Sequence, residues 1–260
     1  MSRDQRESCG RIQAAGQPRG HRSDVPSVTD LALTLWRRKR DSSTLVIGLT
    51  GGVACGKSTL ATALAGELAV LPGRPQVERI GTDGFLLSNA TLSQRGVLER
   101  KGFPETYDRP ALNGALRQAR LGPTLIPGYS HSLYDVDPGL ARTIARPDVL
   151  IVEGLGLDRQ VPLDALVYLD ADQADQKVWY VARFLEFWEL GRQDSHSFYA
   201  RFREMERDAV AALAAMVWGQ VNLPNLTAHI EPVRAEADVV VRKAADHRLL
   251  AIVDNADARA

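Results

Sequence analysis

Thr44-Leu45-Val46-Ile47-Gly48-Leu49-Thr50-Gly51-Gly52-Val53-Ala54-Cys55-Gly56-Lys57-Ser58-Thr59-Leu60 is an apolar, β-branched run, then a glycine-rich loop, then a helix start. That order turns the string Gly51-x-x-x-x-Gly56-Lys57-Ser58 into a phosphate-binding loop, because the chemistry needs a strand before it and a helix after it. Gly51 and Gly56 allow backbone angles and a close approach that a Cβ would block. Backbone N–H groups of the loop converge on phosphate, and the helix adds its unpaired donors and the positive end of its dipole. Lys57 supplies a cation for the β- and γ-phosphates, and the Ser58 hydroxyl is placed to ligate Mg²⁺. Gly51, Gly52, Val53, Ala54, Cys55, Gly56, Lys57, Ser58 and Thr59 therefore form the expected nucleotide site, with a nucleoside triphosphate and Mg²⁺ as its occupants. A glycine-rich turn with a solvated lysine, the plain alternative, has no reason to sit between both elements.

Working outward, the remaining chain is ordinary for a globular protein of 260 residues, with 45% hydrophobic and 25% charged residues. Its 32 basic and 32 acidic residues balance, so no nucleic-acid or membrane partner is expected and anion recognition must be local. The two cysteines, Cys9 and Cys55, lie in a polar tail and in the phosphate loop, which points to neither a disulfide nor a zinc site. No apolar run is long enough to span a bilayer and the N-terminus has no apolar signal core, so the cytoplasm is the expected compartment. Residues 1–26 read as disordered, or as a tail from an early translation start, and 27–260 as a single P-loop domain.

Strand and helix signals alternate. A short helix is expected to cover Leu31, Leu33 and Trp36, with Arg37 to Arg40 as its solvated C-terminal end. A helix follows over 57–71, a strand over 77–80, a polar turn at Gly81-Thr82-Asp83-Gly84-Phe85, and a mostly irregular segment over 86–109. Then come a helix over 110–120, an extended stretch over 124–128, strands over 148–154 and 165–169, and long helices over 172–191 and 195–220. A strand over 237–242 and a short helix from Asp246 complete the series. The pattern predicts an α/β fold, a P-loop NTPase three-layer sandwich with a mostly parallel central sheet flanked by helices.

Ligands of such sheets lie beyond the carboxyl ends of the strands. Asp83 and Glu153 fall there, Asp83 as an acceptor of a hydroxyl proton and Glu153 as a carboxylate serving Mg²⁺. Asp170 also ends a strand, and a capping role suits it better. His131 between Tyr129 and Tyr134, and Arg183 on an aromatic helix, are left open by pattern alone: each is either structural or part of a site.

Several strings then become recognisable. Thr82-Asp83-Gly84-Phe85-Leu86, Arg100-Lys101-Gly102-Phe103-Pro104-Glu105, Tyr129-Ser130-His131, Leu150-Ile151-Val152-Glu153-Gly154-Leu155, Trp179-Tyr180 with Arg183-Phe184, Asn222-Leu223-Pro224-Asn225-Leu226 and Arg242-Lys243 with Asp246-His247 resemble the bacterial type I pantothenate kinase family. The resemblance runs in family order from about residue 46 to 247. It implies ATP-dependent phosphorylation of pantothenate at its primary hydroxyl, the first step toward coenzyme A. It further implies Asp83 as catalytic base, Lys57 and Arg183 on the transferred phosphoryl group, and pantothenate contacts at Asp83, Tyr129, His131, Tyr180 and Asn225. By the same resemblance Ser58 and Glu153 serve the metal and His247 flanks adenine. Family members are typically homodimers and many are inhibited by coenzyme A, so both are carried over as expectations. The family usually has a longer helical N-terminal region and a longer connection between Leu155 and Leu166 than this chain. Two alternatives stay open: a kinase of the same fold acting on uridine or a sugar-like hydroxyl substrate, and a catalytically weak nucleotide or coenzyme A sensor.

Overall fold

The computed structural model describes residues 25–40 and 42–255; of the expected tail over 1–26, residues 1–24 lie outside the described residues. Helix α1, Val28–Trp36, opens with a capping box, Ser27 accepting from the Asp30 N–H at 3.2 Å while the Asp30 carboxylate accepts from the Ser27 N–H at 3.0 Å. It buries Leu31, Ala32 and Leu35, whereas Leu33 is 39% exposed. The expected face was wrong by that residue, because the Leu31–Leu35 spacing of four chooses the stripe. Nor is the basic run after it simply solvated: Arg38 reaches Asp254 at 2.6 Å and Asp238 at 3.6 Å.

Strand β1, Leu45–Gly51, is buried at every position, and helix α2, Lys57–Ala69, follows the loop. Strand β2, Val77–Gly81, leads into a 3₁₀ turn, Thr82–Phe85, and the short helix α3, Asn89–Gln94, gives order to part of the stretch expected to be irregular. Helix α4, Arg109–Ala119, is capped by Asp108. Strands β3, Thr124–Ser130, and β4, Asp135–Ile144, pair as a separate antiparallel hairpin. β4 was not legible: Pro138 and Gly139 break its sequence pattern, and only Ile144 of its ten residues is buried.

Strand β5, Val149–Glu153, strand β6, Ala165–Asp170, and helix α5, Gln173–Gly191, match the expected elements closely. The helix expected over 195–220 does not start until α6, Arg207–Val217. Before it, a 3₁₀ segment, Phe198–Phe202, is drawn to the hairpin by a Phe198 N–H donating to the Ser132 carbonyl at 2.7 Å. After α6 the chain continues as widened π-helical turns, Trp218–Asn222 and Leu226–Ile230, on either side of Pro224, which has no N–H to give to an α-turn. Strand β7, Val239–Lys243, is followed by strand β8, Leu249–Asp254, where a helix was expected. β8 pairs antiparallel with β7, satisfying an edge that would otherwise be open.

The main sheet has the order β2-β5-β1-β6-β7-β8, parallel throughout except for β8. Alternate residues divide its two faces. Val46, Leu150, Val152, Leu166, Tyr168 and Val240 face α4 and the π-helical segment; Leu45, Ile47, Leu49, Ile151, Val167 and Val241 face α1 and α2. A smaller aromatic cluster of Phe184, Trp188 and Tyr199 with Val210 and Ala214 joins α5 to α6. Helices on both faces of a sheet make a three-layer α/β sandwich, with all five parallel strands ending on one side.

Candidate active site

The phosphate loop hangs between β1 and α2. Gly51 has φ +148°, and a Cβ there would lie 2.4 Å from the Leu169 carbonyl of the adjacent strand. Gly56 caps α2 in the left-handed region, φ +93°. Lys57 folds back, its Nζ donating to the Gly51 carbonyl at 3.1 Å and the Gly52 carbonyl at 2.8 Å. Ser58 Oγ donates to Glu153 Oε1 at 2.7 Å. Glycine backbone with no room for a Cβ, a helix N-terminus, an ammonium folded over the loop, and a hydroxyl touching a carboxylate fit a nucleoside triphosphate with a divalent cation.

Register brings the acidic groups together. Glu153 aligns with Leu49 of β1 on one side and with Gly81 of β2 on the other, so the turn carrying Asp83 starts beside Glu153. Gly154, φ +146°, packs so tightly against this turn that a Cβ would come within 1.9 Å of Thr82 Oγ1. From the other side the Pro127 carbonyl of β3 closes on Gly84.

The hairpin and α5 supply the opposite wall. The Tyr129 and His131 rings lie 5.2 Å apart edge to face, and His131 stacks on Phe187 at 5.7 Å. Loss of water on its packed faces holds the imidazole below its ordinary pKa; Arg183 pushes the same way, while Asp83 and Glu153 oppose it. His131 thus feels Asp83, Arg183 and Glu153 at once. Arg183 lies over the Phe187 ring at 5.2 Å and has no ion-pair partner among the described residues, so the surface salt bridge that pattern left open does not form. Tyr180 packs 5.7 Å from Trp218, and burial raises its phenol while Asn222 bonds it. Asn225 is buried on the short α-helical turn Leu223–Asn225 between the two π-helical turns; its Nδ2 donates to the Gly102 carbonyl at 2.9 Å, and its Oδ1 has no protein partner.

His247 stands apart, on the β7–β8 turn at φ +71°, its ring 4.6 Å from Trp179 of α5. Asp170 does not cap α5, whose N-cap is Asp172; it pairs with Arg242 at 3.0 Å and Arg234 at 3.2 Å. No group of three or more His, Cys, Asp or Glu side chains able to hold a metal occurs among the described residues, so any cation here relies on Ser58, Glu153 and phosphate oxygens.

Two lysines quoted only inside family strings turn out to be buried. Lys101 donates to Asn89 Oδ1 at 2.7 Å and to the Tyr134 carbonyl at 2.6 Å, with its ammonium 5.0 Å from the Tyr129 ring centre and 4.6 Å from that of Tyr134. Burial brings its pKa down to about 8 against the pull of Asp135 and Asp83. Lys243, at the end of β7, bonds the Cys55 carbonyl and lies 4.6 Å from the Trp179 ring centre. Neither has a signal of its own in the sequence, since a lysine in a loop or at a strand end is usually solvated.

No family model matches the chain. Curated relatives do. A pantothenate kinase of Myxococcus xanthus is 40% identical over 220 residues, 78% of this chain and 69% of its own length. One from Sorangium cellulosum is 42% identical, covering 80% of this chain and 71% of its own. One from a Nocardioides species is 39% identical over 257 residues, covering 93% and 74%. Among solved structures, a Silicibacter protein assigned as a fructose transport system kinase superposes with TM-score 0.66 at 26% identity, over 83% of this chain and 98% of that one. A D-glycerate 3-kinase from Cryptococcus neoformans gives TM-score 0.59 at 15% identity, over 87% and 97%, which is likeness of fold.

Proposed function

The chain belongs to the pantothenate kinase family, and from that premise we propose that it transfers the γ-phosphoryl group of ATP to the primary hydroxyl of pantothenate. The observation that carries the reading is the strand-end register that sets Glu153, bonded to the Ser58 hydroxyl of the phosphate loop, beside the turn carrying Asp83. The Tyr129 and His131 rings of the hairpin, His131 stacked on Phe187 of α5, supply the aromatic wall of the same site.

Asp83 accepts the proton of the acceptor hydroxyl as its oxygen bonds to the γ-phosphorus and the bond to the β-γ bridging oxygen breaks, releasing ADP. Lys57 leaves the Gly51 and Gly52 carbonyls to follow the charge of the moving phosphoryl group, and Arg183, unpaired by any carboxylate, meets it from α5. Ser58 and Glu153 would hold Mg²⁺, which when bound neutralises phosphate charge. Tyr129, His131, Tyr180 and Asn225 orient pantothenate, and the unpartnered Asn225 Oδ1 supports that role because a buried acceptor needs a donor. His247 provides a flat surface for adenine. Most of the rate enhancement is then positioning and charge stabilisation.

ADP release measured with pantothenate, uridine and a panel of sugars tests the acceptor. Turnover with pantothenate alone is expected; turnover with another acceptor in its place, or tight coenzyme A binding without turnover on any, overturns it. Coenzyme A inhibition and homodimer assembly belong to the same reading. Competition between coenzyme A and ATP checks the first, and the mass in solution checks the second.

A further inference from the structure

Lys243 is 7% exposed, at the carboxyl end of a parallel strand two places from β1 in the sheet. Its ammonium donates to the carbonyl of Cys55 inside the phosphate loop, and a Cβ built on Gly56 would come within 2.6 Å of its Nζ. The indole of Trp179 covers it from α5 at 4.6 Å, and the His247 ring lies tilted against that indole. Among the described residues it has no carboxylate partner, and the charge of Lys57 reaches it unfavourably. An ammonium held by one neutral carbonyl and a ring face, beside a second ammonium, is an arrangement lacking its anion.

We propose that Lys243 is a positioning residue for nucleotide binding, holding the Cys55–Gly56 peptide in its anion-binding shape and adding positive charge behind the loop for the polyphosphate. The proposal rests on the reading that the loop receives ATP. Three features agree with it. The contact falls on the turn where the loop becomes α2, the position whose N–H groups face phosphate. The lysine comes from β7, so the loop's geometry is tied to the far side of the sheet. Its other neighbours, Trp179 and His247, carry that tie toward the expected adenine site.

Titration calorimetry of the full chain with ADP and with adenosine separates this role from packing. Lys243→Met keeps the chain length without the charge, and Lys243→Gln keeps a donor for the carbonyl without the charge. Both variants are expected to bind ADP at least tenfold more weakly than wild type, with adenosine affinity and the KM for pantothenate changed less than twofold. An ADP affinity within twofold of wild type in Lys243→Gln overturns the proposal, as does an equal loss for ADP and adenosine. Wild-type protein that binds no ADP overturns the nucleotide reading itself, a result distinct from either. Thermal unfolding of the nucleotide-free variants reports whether Lys243→Met folds, and Lys243→Gln carries the test if it does not.

Discussion

Asp83 owes its place to two residues without side chains. Gly84 lets the turn approach the Pro127 carbonyl, and Gly154 lets it approach Glu153's strand end. Its charge acts on Lys101 and on Tyr129, His131 and Tyr134 of the hairpin. Asp83→Ala is expected to lower kcat by about 10²–10⁴-fold, the usual contribution of a general base, while ATP affinity measured by calorimetry stays within a few fold. Lys101 supplies a second test. With a pKa near 8 its ammonium is charged below that value and neutral above it, so any help it gives an acidic substrate is present at low pH and lost as pH rises through about 8. The pH profile of kcat/KM for pantothenate should therefore fall above about 8, and Lys101→Arg should move that descending limb to higher pH because a guanidinium stays charged. A profile flat through pH 9 in the wild type would count against the role.

At the scale of elements, the site is a meeting of strand ends. β1, β2 and β5 end together, which is why the phosphate loop, the Asp83 turn and Glu153 share one rim. The joint between the last two is Gly154 against Thr82. Gly154→Ala must push a Cβ into Thr82 Oγ1 at a φ that side chains rarely adopt, and should cost about 1–3 kcal/mol of stability. It should also lower kcat more than it raises the KM for ATP, because the displaced turn carries Asp83, the proposed base, and not the phosphate loop. Denaturant unfolding and steady-state kinetics on one preparation check both. Around Pro224 the short α-helical turn Leu223–Asn225, set between two π-helical turns, carries Asn225 to the Gly102 carbonyl.

The whole molecule is closed at its β7–β8 end by charge as well as by pairing. Asp238 is 13% exposed and meets Arg159 at 2.6 Å, Arg38 at 3.6 Å and the Leu166 N–H at 2.7 Å. Burial alone would raise its pKa; the Arg159 hydrogen bonds and the Leu166 N–H outweigh it and hold the carboxyl below its ordinary value. Such a group contributes stability that is fully present above the unfolded pKa and is lost as pH falls through the folded one. Asp238→Asn should therefore cost about 1–3 kcal/mol at neutral pH, with the gap from wild type closing as pH drops below about 4. Urea unfolding at a series of pH values reads this directly, and a gap independent of pH would rule it out.

The phosphate loop, the parallel strands and the carboxylates at their ends were legible in the sequence because each depends on local pattern: a β-branched run, glycines at fixed spacing, an acidic residue where an apolar strand stops. Resemblance then linked Asp83, Tyr129, His131, Tyr180 and Asn225 to one expected acceptor and Arg183 to the transferred phosphoryl group, although they lie far apart in the chain. Other features depended on contacts that no local pattern encodes. β8 is a strand because β7 offers an unpaired edge, the 198–202 segment leaves helix because Ser132 takes its N–H, and Asp170 serves two arginines instead of a helix end. Lys101 and Lys243 show the difference most clearly. In the sequence each is one more cation among 32, and only folding removes them from water and sets one against the Tyr129 and Tyr134 rings and the other behind the phosphate loop. Burial is a property of the assembled chain, and burial is what gives a lysine a lowered pKa and a need for an anion.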